Sequence, residues 1–200
     1  MDFENVTSAL ERRGFAVRRF DTKEQTAAAL QEALQEAKTV GIGGSCTVRE
    51  LDVVQSLKEA GKTVFWHWLP AQEGVDARRE ALGADVYLAS ANAVTADGKL
   101  LFIDGTGNRV AAVCYGPKRV ILVIGRNKLA EDTEAGFRRI HETACPQNAR
   151  RLGNKTPCAV TGICADCRSP QRMCRAVLTL EGCPGSHPVE VWLVNEALGF

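Results

Sequence analysis

The chain predicts an α/β fold, a mostly parallel sheet flanked by helices, and three observations carry that reading. Segments with strand and helix character alternate over most of its 200 residues. Two of them, 85–89 and 120–124, are continuous apolar runs, as strands buried on both faces of a parallel sheet tend to be. The helical stretches between strands are long enough for right-handed crossovers.

Taken in order, 3–13 has the pattern of a helix and 15–20 (FAVRRF) that of a short strand. Thr22 opens the next helix with Gln25 as its capping-box partner, and Leu30, Ala33, Leu34 and Ala37 mark one helical face. A buried strand at 39–42 ends in glycines. Val48, Leu51, Val54 and Leu57 then step along a helix that a Thr47–Glu50 capping box predicts to start at Thr47. A strand at 63–69 and a short helix at 75–82 precede the first apolar run. Between the two runs, 94–103 has the form of a hairpin turning at Asp97-Gly98. Asp132 caps a helix reaching about Thr143. From 144 the chain has neither period and is broken by proline and glycine, while 189–194 predicts one last strand rejoining the sheet. The organisation expected is one domain: an α/β body over 1–143, a cysteine-rich cap over 144–188, and a closing strand with its tail over 189–200.

Composition sets the outer bounds. A chain with 45% hydrophobic and 24% charged residues is an ordinary globular one, and at this length about 70% of its surface can be buried. Twenty-five basic against 24 acidic residues leave no global pull toward nucleic acid or acidic membranes. The N-terminus lacks the apolar stretch of a signal peptide, and no apolar run approaches the ~20 residues of a spanning helix. The expectation is a cytoplasmic protein with neither a nucleic-acid partner nor membrane insertion.

The turn Gly41-Ile-Gly-Gly-Ser-Cys-Thr47 joins a strand to a helix. Gly41, Gly43 and Gly44 permit close backbone approach, and Ser45 and Thr47 add hydroxyls, so a small carboxylate or phosphate suits the turn. A tight turn without ligand is the alternative. The run lacks the third glycine of a dinucleotide fingerprint and the Gly-Lys-Ser/Thr ending of a P-loop. A second polar group gathers at 92–109, where Asn92, Thr95, Gly105, Gly107, Asn108 and Arg109 surround two candidate bases, Asp97 and Asp104. Arg109 suits a carboxylate, while for either aspartate alone the turn residue is the favoured reading. His67, after Phe65-Trp66, is a weaker candidate for the same crevice. Cys46, at a helix start, is a weaker nucleophile candidate.

The run ANAVTADGKLLFIDGTGNRVAAVCYGPKRVILVIGRNKL, preceded by VGIGGSCTVREL, resembles the lactate utilization (LUD) domain family. The likeness is greatest to small stand-alone members related to lactate utilization protein C. It implies the fold of ribose-5-phosphate isomerase, glucosamine-6-phosphate deaminase and the CoA transferases, with an anion on the Gly41–Ser45 turn near an acidic strand end such as Asp97. The isomerases carry a fuller acidic motif than Asp97-Gly98-Lys99. The likeness also implies service in a multi-subunit lactate-oxidising system whose neighbouring subunits hold iron–sulfur clusters. The alternatives are an isomerase- or CoA-transferase-like enzyme using Asp97 or Asp104, and a zinc-stapled binding protein without catalysis.

Six of the eight cysteines lie in the last 56 residues of the chain. Cys158-x5-Cys164-x2-Cys167-x6-Cys174 offers four soft ligands in a reducing compartment, for an iron–sulfur cluster, expected as 4Fe-4S, or for zinc. The spacing matches neither a ferredoxin run nor a common zinc finger. Free thiols or a disulfide are the remaining reading, and Cys145 and Cys183 stand in reserve. Six basic residues from Arg150 to Arg175, against Asp166 alone, favour thiolates or an anionic ligand.

Overall fold

The computed structural model describes residues 3–200. Ten strands follow one another as β1 (Ala16–Phe20), β2 (Thr39–Ile42), β3 (Thr63–Trp66), β4 (Val86–Ala89), β5 (Ala93–Thr95), β6 (Leu100–Asp104), β7 (Arg119–Gly125), β8 (Leu129–Ala130), β9 (Ala176–Leu180) and β10 (Val189–Val194). Six of them form a parallel sheet in the order β1-β10-β7-β4-β2-β3. The other four form a smaller mixed sheet, β8-β5-β6-β9. The hairpin expected at 94–103 lies in this second sheet.

Alternation along β7 shows how the main sheet is held. Val120, Leu122 and Ile124 join a core with Val6, Leu10, Tyr87 and Leu193, whereas Ile121 and Val123 join Leu30, Leu34, Val40 and Trp192 on the opposite face. All five are fully buried, each contributing about 2 kcal/mol of apolar transfer. The first core also takes Val94, Leu100 and Phe102, which places one face of the second sheet against it. The other face packs Ala93, Leu101 and Ile103 on Ile140 and Cys145.

The helices are α1 (Phe3–Arg12), α2 (Lys23–Ala33), α3 (Cys46–Glu50), α4 (Val54–Glu59), α5 (Ala77–Leu82), α6 (Asn108–Cys114), α7 (Thr133–Arg139), α8 (Cys145–Arg151) and α9 (Pro157–Thr161). The single helix expected after the glycine turn is two. Asp52, at φ 50°, breaks it between Leu51 and Val54. Its start also differs, because Ser45 and not Thr47 supplies the cap, accepting from the Val48 N–H at 3.2 Å. The strand expected at 63–69 stops at Trp66, where the Leu69 N–H turns back to the Trp66 carbonyl.

The segment after 144 is more regular than its composition predicts. Residues 133–151 form one helical run, α-helical except for a π turn at Ile140–Ala144. Pro146 lacks the N–H that an α-helical ladder requires there, and the wider turn precedes it. The run crosses position 144, where body and cap were expected to part. Further on, β9 pairs with β6, and β10 enters the main sheet between β1 and β7.

Candidate functional site

Because the main sheet is parallel, the loops leaving β2, β3, β4 and β7 emerge on one edge. The chain steps outward from β2 to β3, then returns to place β4 on the other side of β2. Such a reversal opens a crevice at the carboxyl ends of the strands. A cleft of about 230 Å³ lies at this edge. Its walls include Gly44–Thr47 after β2, His67 and Trp68 after β3, Ser90–Asn92 after β4, and Lys128 after β7. Asp104, Gly105, Asn108 and Arg109 come from the second sheet and α6. Cys145, Asn148, Arg151 and Met173 come from the late segment.

Of the expected ligand residues, Gly44, Ser45, Thr47, Asn92, Gly105, Asn108 and Arg109 line this cleft. Gly41 and Gly43 stand just behind it and serve packing. A β-carbon on Gly41 would meet the Ala81 carbonyl oxygen at 2.7 Å, and one on Gly43 the Tyr87 hydroxyl at 2.9 Å. The Trp66 indole N–H donates to the Gly43 carbonyl at 3.0 Å and pins the turn. Gly107, in the left-handed region, stands at the start of α6.

The two aspartates part company. Asp104 lies in the cleft wall, where its carboxylate accepts from the backbone N–H groups of Gly105, Arg109 and Val110 at 2.8, 3.0 and 3.3 Å, and so caps α6. Asp97 sits at the far turn of the β5–β6 hairpin, outside the cleft wall. It accepts from Thr95 and is paired with Arg13 and Lys99. Thr95 is buried beside it.

Three guanidinium groups and the Lys128 side chain converge on the cleft. Arg109 donates to the Ser90 and Ile103 carbonyls and to Asn92 Oδ1 at 2.7–3.1 Å. Arg151 donates to Asn148 Oδ1 and stacks over Trp68 at 4.6 Å. Arg78 is exposed, and Lys128 is buried against two hydroxyls. Among the described residues none of the four is ion-paired with a carboxylate. Burial, with Arg78 adding to it, lowers the pKa of His67, so the ring is neutral near pH 7. Its Nδ1 is buried without a hydrogen-bond partner. Arg78 and Lys128 were not among the residues expected from sequence, whereas Arg151 belongs to the basic run expected to suit an anionic ligand. Lys128 carried one usable signal, its place just past the carboxyl end of an apolar strand.

The four cysteines of the late motif do not form one ligand set, although Cys174, Cys158 and Cys164 all lie near enough to Cys145 to raise its pKa. Cys158 Sγ lies 3.4 Å from Thr156 Oγ1, Cys164 Sγ lies 3.6 Å from His141 Nδ1, and Cys174 Sγ lies 3.9 Å from Cys145 Sγ. Among the described residues no three His, Cys, Asp or Glu side chains are gathered closely enough to hold a metal ion. As arranged, these residues do not fit an iron–sulfur cluster or a zinc ion. Cys145, held in reserve on sequence grounds, is the thiol nearest Cys174. Contact with Cys174 raises its pKa and lowers that of its partner.

Fold and cleft together define a class: an open parallel α/β domain with a cation-lined cleft at its switch point. More particularly, the chain belongs to the LUD (lactate utilization) domain family, whose profile matches residues 3–194. A crystal structure of a DUF162 family protein from Deinococcus radiodurans is similar, with a TM-score of 0.55 over 96% of this chain and 94% of that one. At 14% identity the likeness concerns the fold alone. No curated protein sequence matches the chain. Among the described residues no helix is long and apolar enough to cross a membrane.

Proposed function

We propose that the cleft binds a small carboxylate- or phosphate-bearing anion, and that the protein serves lactate-type hydroxy-acid utilization through this site. One observation carries the reading: Arg78, Arg109 and Arg151 face one cleft, and among the described residues no carboxylate is paired to any of them. Among the described residues, the one acidic side chain in the wall, Asp104, is occupied by three backbone N–H groups. Guanidinium groups without counter-ions favour an anionic ligand and match carboxylate and phosphate in shape. Trp68, beneath Arg151, offers an apolar floor.

Calorimetric titration with lactate, inorganic phosphate and uncharged lactamide tests this. The expected result is binding of the anions and none of lactamide. Arg78→Gln weakens anion affinity about tenfold, the usual scale of one charge-assisted hydrogen bond. Arg78 is exposed, so that variant folds as the parent does. Equal affinity for lactate and lactamide, or none for either anion, overturns the reading.

An iron–sulfur or zinc role for Cys158, Cys164, Cys167 and Cys174, and assembly with iron–sulfur subunits, rest on spacing and family likeness. With the thiols apart, a bound metal requires 157–174 to rearrange. Iron and zinc content after oxygen-free purification reads this directly. For an isomerase- or CoA-transferase-like reaction, Asp104 is at the cleft and Asp97 is not.

A further inference from the structure

Lys128 ends the short turn Arg126–Lys128 that leaves β7 and belongs to the cleft wall, its side chain buried. Nζ donates to Thr47 Oγ1 at 2.6 Å and to Ser90 Oγ at 2.9 Å. Both hydroxyl protons are already committed, Thr47 to the Leu198 carbonyl at 3.1 Å and Ser90 to the Ala91 carbonyl at 3.2 Å. Neither hydroxyl has a proton left to give the amine, so both accept from it. An uncharged amine has two hydrogens and one lone pair. With both hydrogens directed at Thr47 and Ser90, the lone pair is the valence left for the cleft.

The surroundings favour that uncharged form. Burial acts first, and the guanidinium groups of Arg139 and Arg109 act with it, against weaker opposition from Glu50 and Cys46, lowering the pKa to about 7. Arg139 donates to the Asn127 and Asn92 carbonyls and, like Arg109, has no carboxylate partner among the described residues. A desolvated lysine beside other cations is a well-supported way to make an amine nucleophilic.

We propose that Lys128 forms an imine with the carbonyl carbon of a small 2-oxo acid held in the cleft. The inference rests on the anion reading: the carboxylate occupies the arginines, and the adjacent keto carbon meets the amine. The nitrogen lone pair attacks that carbon while the carbonyl π pair moves to oxygen. The two protons leaving nitrogen depart with that oxygen as water, and a C=N bond remains. No oxidant or reductant enters the step.

The test incubates the intact protein with pyruvate and sodium cyanoborohydride, then maps modified peptides by mass spectrometry. Expected is one reduced pyruvate on the peptide carrying Lys128, lost in Lys128→Arg. In the wild-type protein, excess lactate, which has the carboxylate but no carbonyl, suppresses the label. This arm holds even where the buried variant folds poorly. Label confined to surface lysines, or label at Lys128 that lactate does not suppress, overturns the proposal. If pyruvate and lactate both bind by calorimetry while Lys128 stays unlabelled, the imine is wrong and the anion site stands. If neither binds and Lys128 is unlabelled, the anion reading fails and the imine falls with it.

Discussion

Lys128 makes a strong demand on stability at the scale of one residue. Its ordinary pKa near 10.5 falls to about 7 on folding. Between those values the unfolded chain holds the proton that the folded protein has released, so this group makes stability rise with pH from about 7 toward 10. Below pH 7 both states are protonated, and the penalty of the buried charge is full and constant. Lys128→Met removes that slope. In paired denaturant titrations, the stability of wild type relative to Lys128→Met is therefore expected to increase as pH is raised across this window. A flat difference shows that the amine is charged throughout. This residue was hard to read in the chain for a plain reason. The hydroxyls that orient it are 81 and 38 positions away, and only the folded sheet brings them together. Thr47 was read as a helix cap and a ligand donor, whereas its hydroxyl contacts Lys128 and Leu198.

At the scale of single elements, short polar side chains decide where helices begin, and they separate the two aspartates. Asp104 holds the first turn of α6 through three N–H groups, and Asp104→Ala is expected to cost about 1–2 kcal/mol in equilibrium unfolding. Asp104→Asn keeps an acceptor oxygen, loses less stability, and removes the charge of the one acidic side chain among the described wall residues. Calorimetry should then find the anion bound several-fold more tightly. Weaker binding would mean that the carboxylate itself meets the ligand. Asp97 is 54% exposed in its ion pairs, so Asp97→Asn costs no more than about 1 kcal/mol and leaves anion affinity unchanged. The strands were legible wherever burial on both faces left an unbroken apolar run, as in β4 and β7. The break between α3 and α4 was not, because the apolar steps Val48, Leu51, Val54 and Leu57 continue through it. Asp52, which turns the chain there, looks in sequence like any polar residue on an exposed face. The helical run through Pro146 was hidden by the proline itself.

Across the whole molecule, packing is uneven, and the cleft lies where strong and weak parts meet. The central strands of the main sheet are sealed between two cores, with β7 and β10 almost wholly buried, while the edge strands β1 and β3 are only partly covered. The stretch from Leu152 to Arg175 contributes little to any core and leaves Val160 and Ile163 80% and 71% exposed. Yet this side of the molecule supplies Cys145, Asn148, Arg151, Leu152 and Met173 to the cleft wall, with Arg151 resting on Trp68 of the body. Residues with few buried contacts open locally at low free energy, while a sealed sheet opens only with global unfolding. Amide hydrogen exchange is therefore expected to be fast across 160–172 and slowest in β7 and β10. A ligand that bridges Arg151 to Arg109 and the β2 turn binds the closed form and not the opened one, which shifts the local equilibrium toward closure. Saturating lactate or phosphate should slow exchange in 148–174 and leave β7 unchanged. Protection that rises equally everywhere would place the effect in global stability. No change in 148–174, with binding established by calorimetry, would show that the late segment frames the cleft without taking part in holding its ligand.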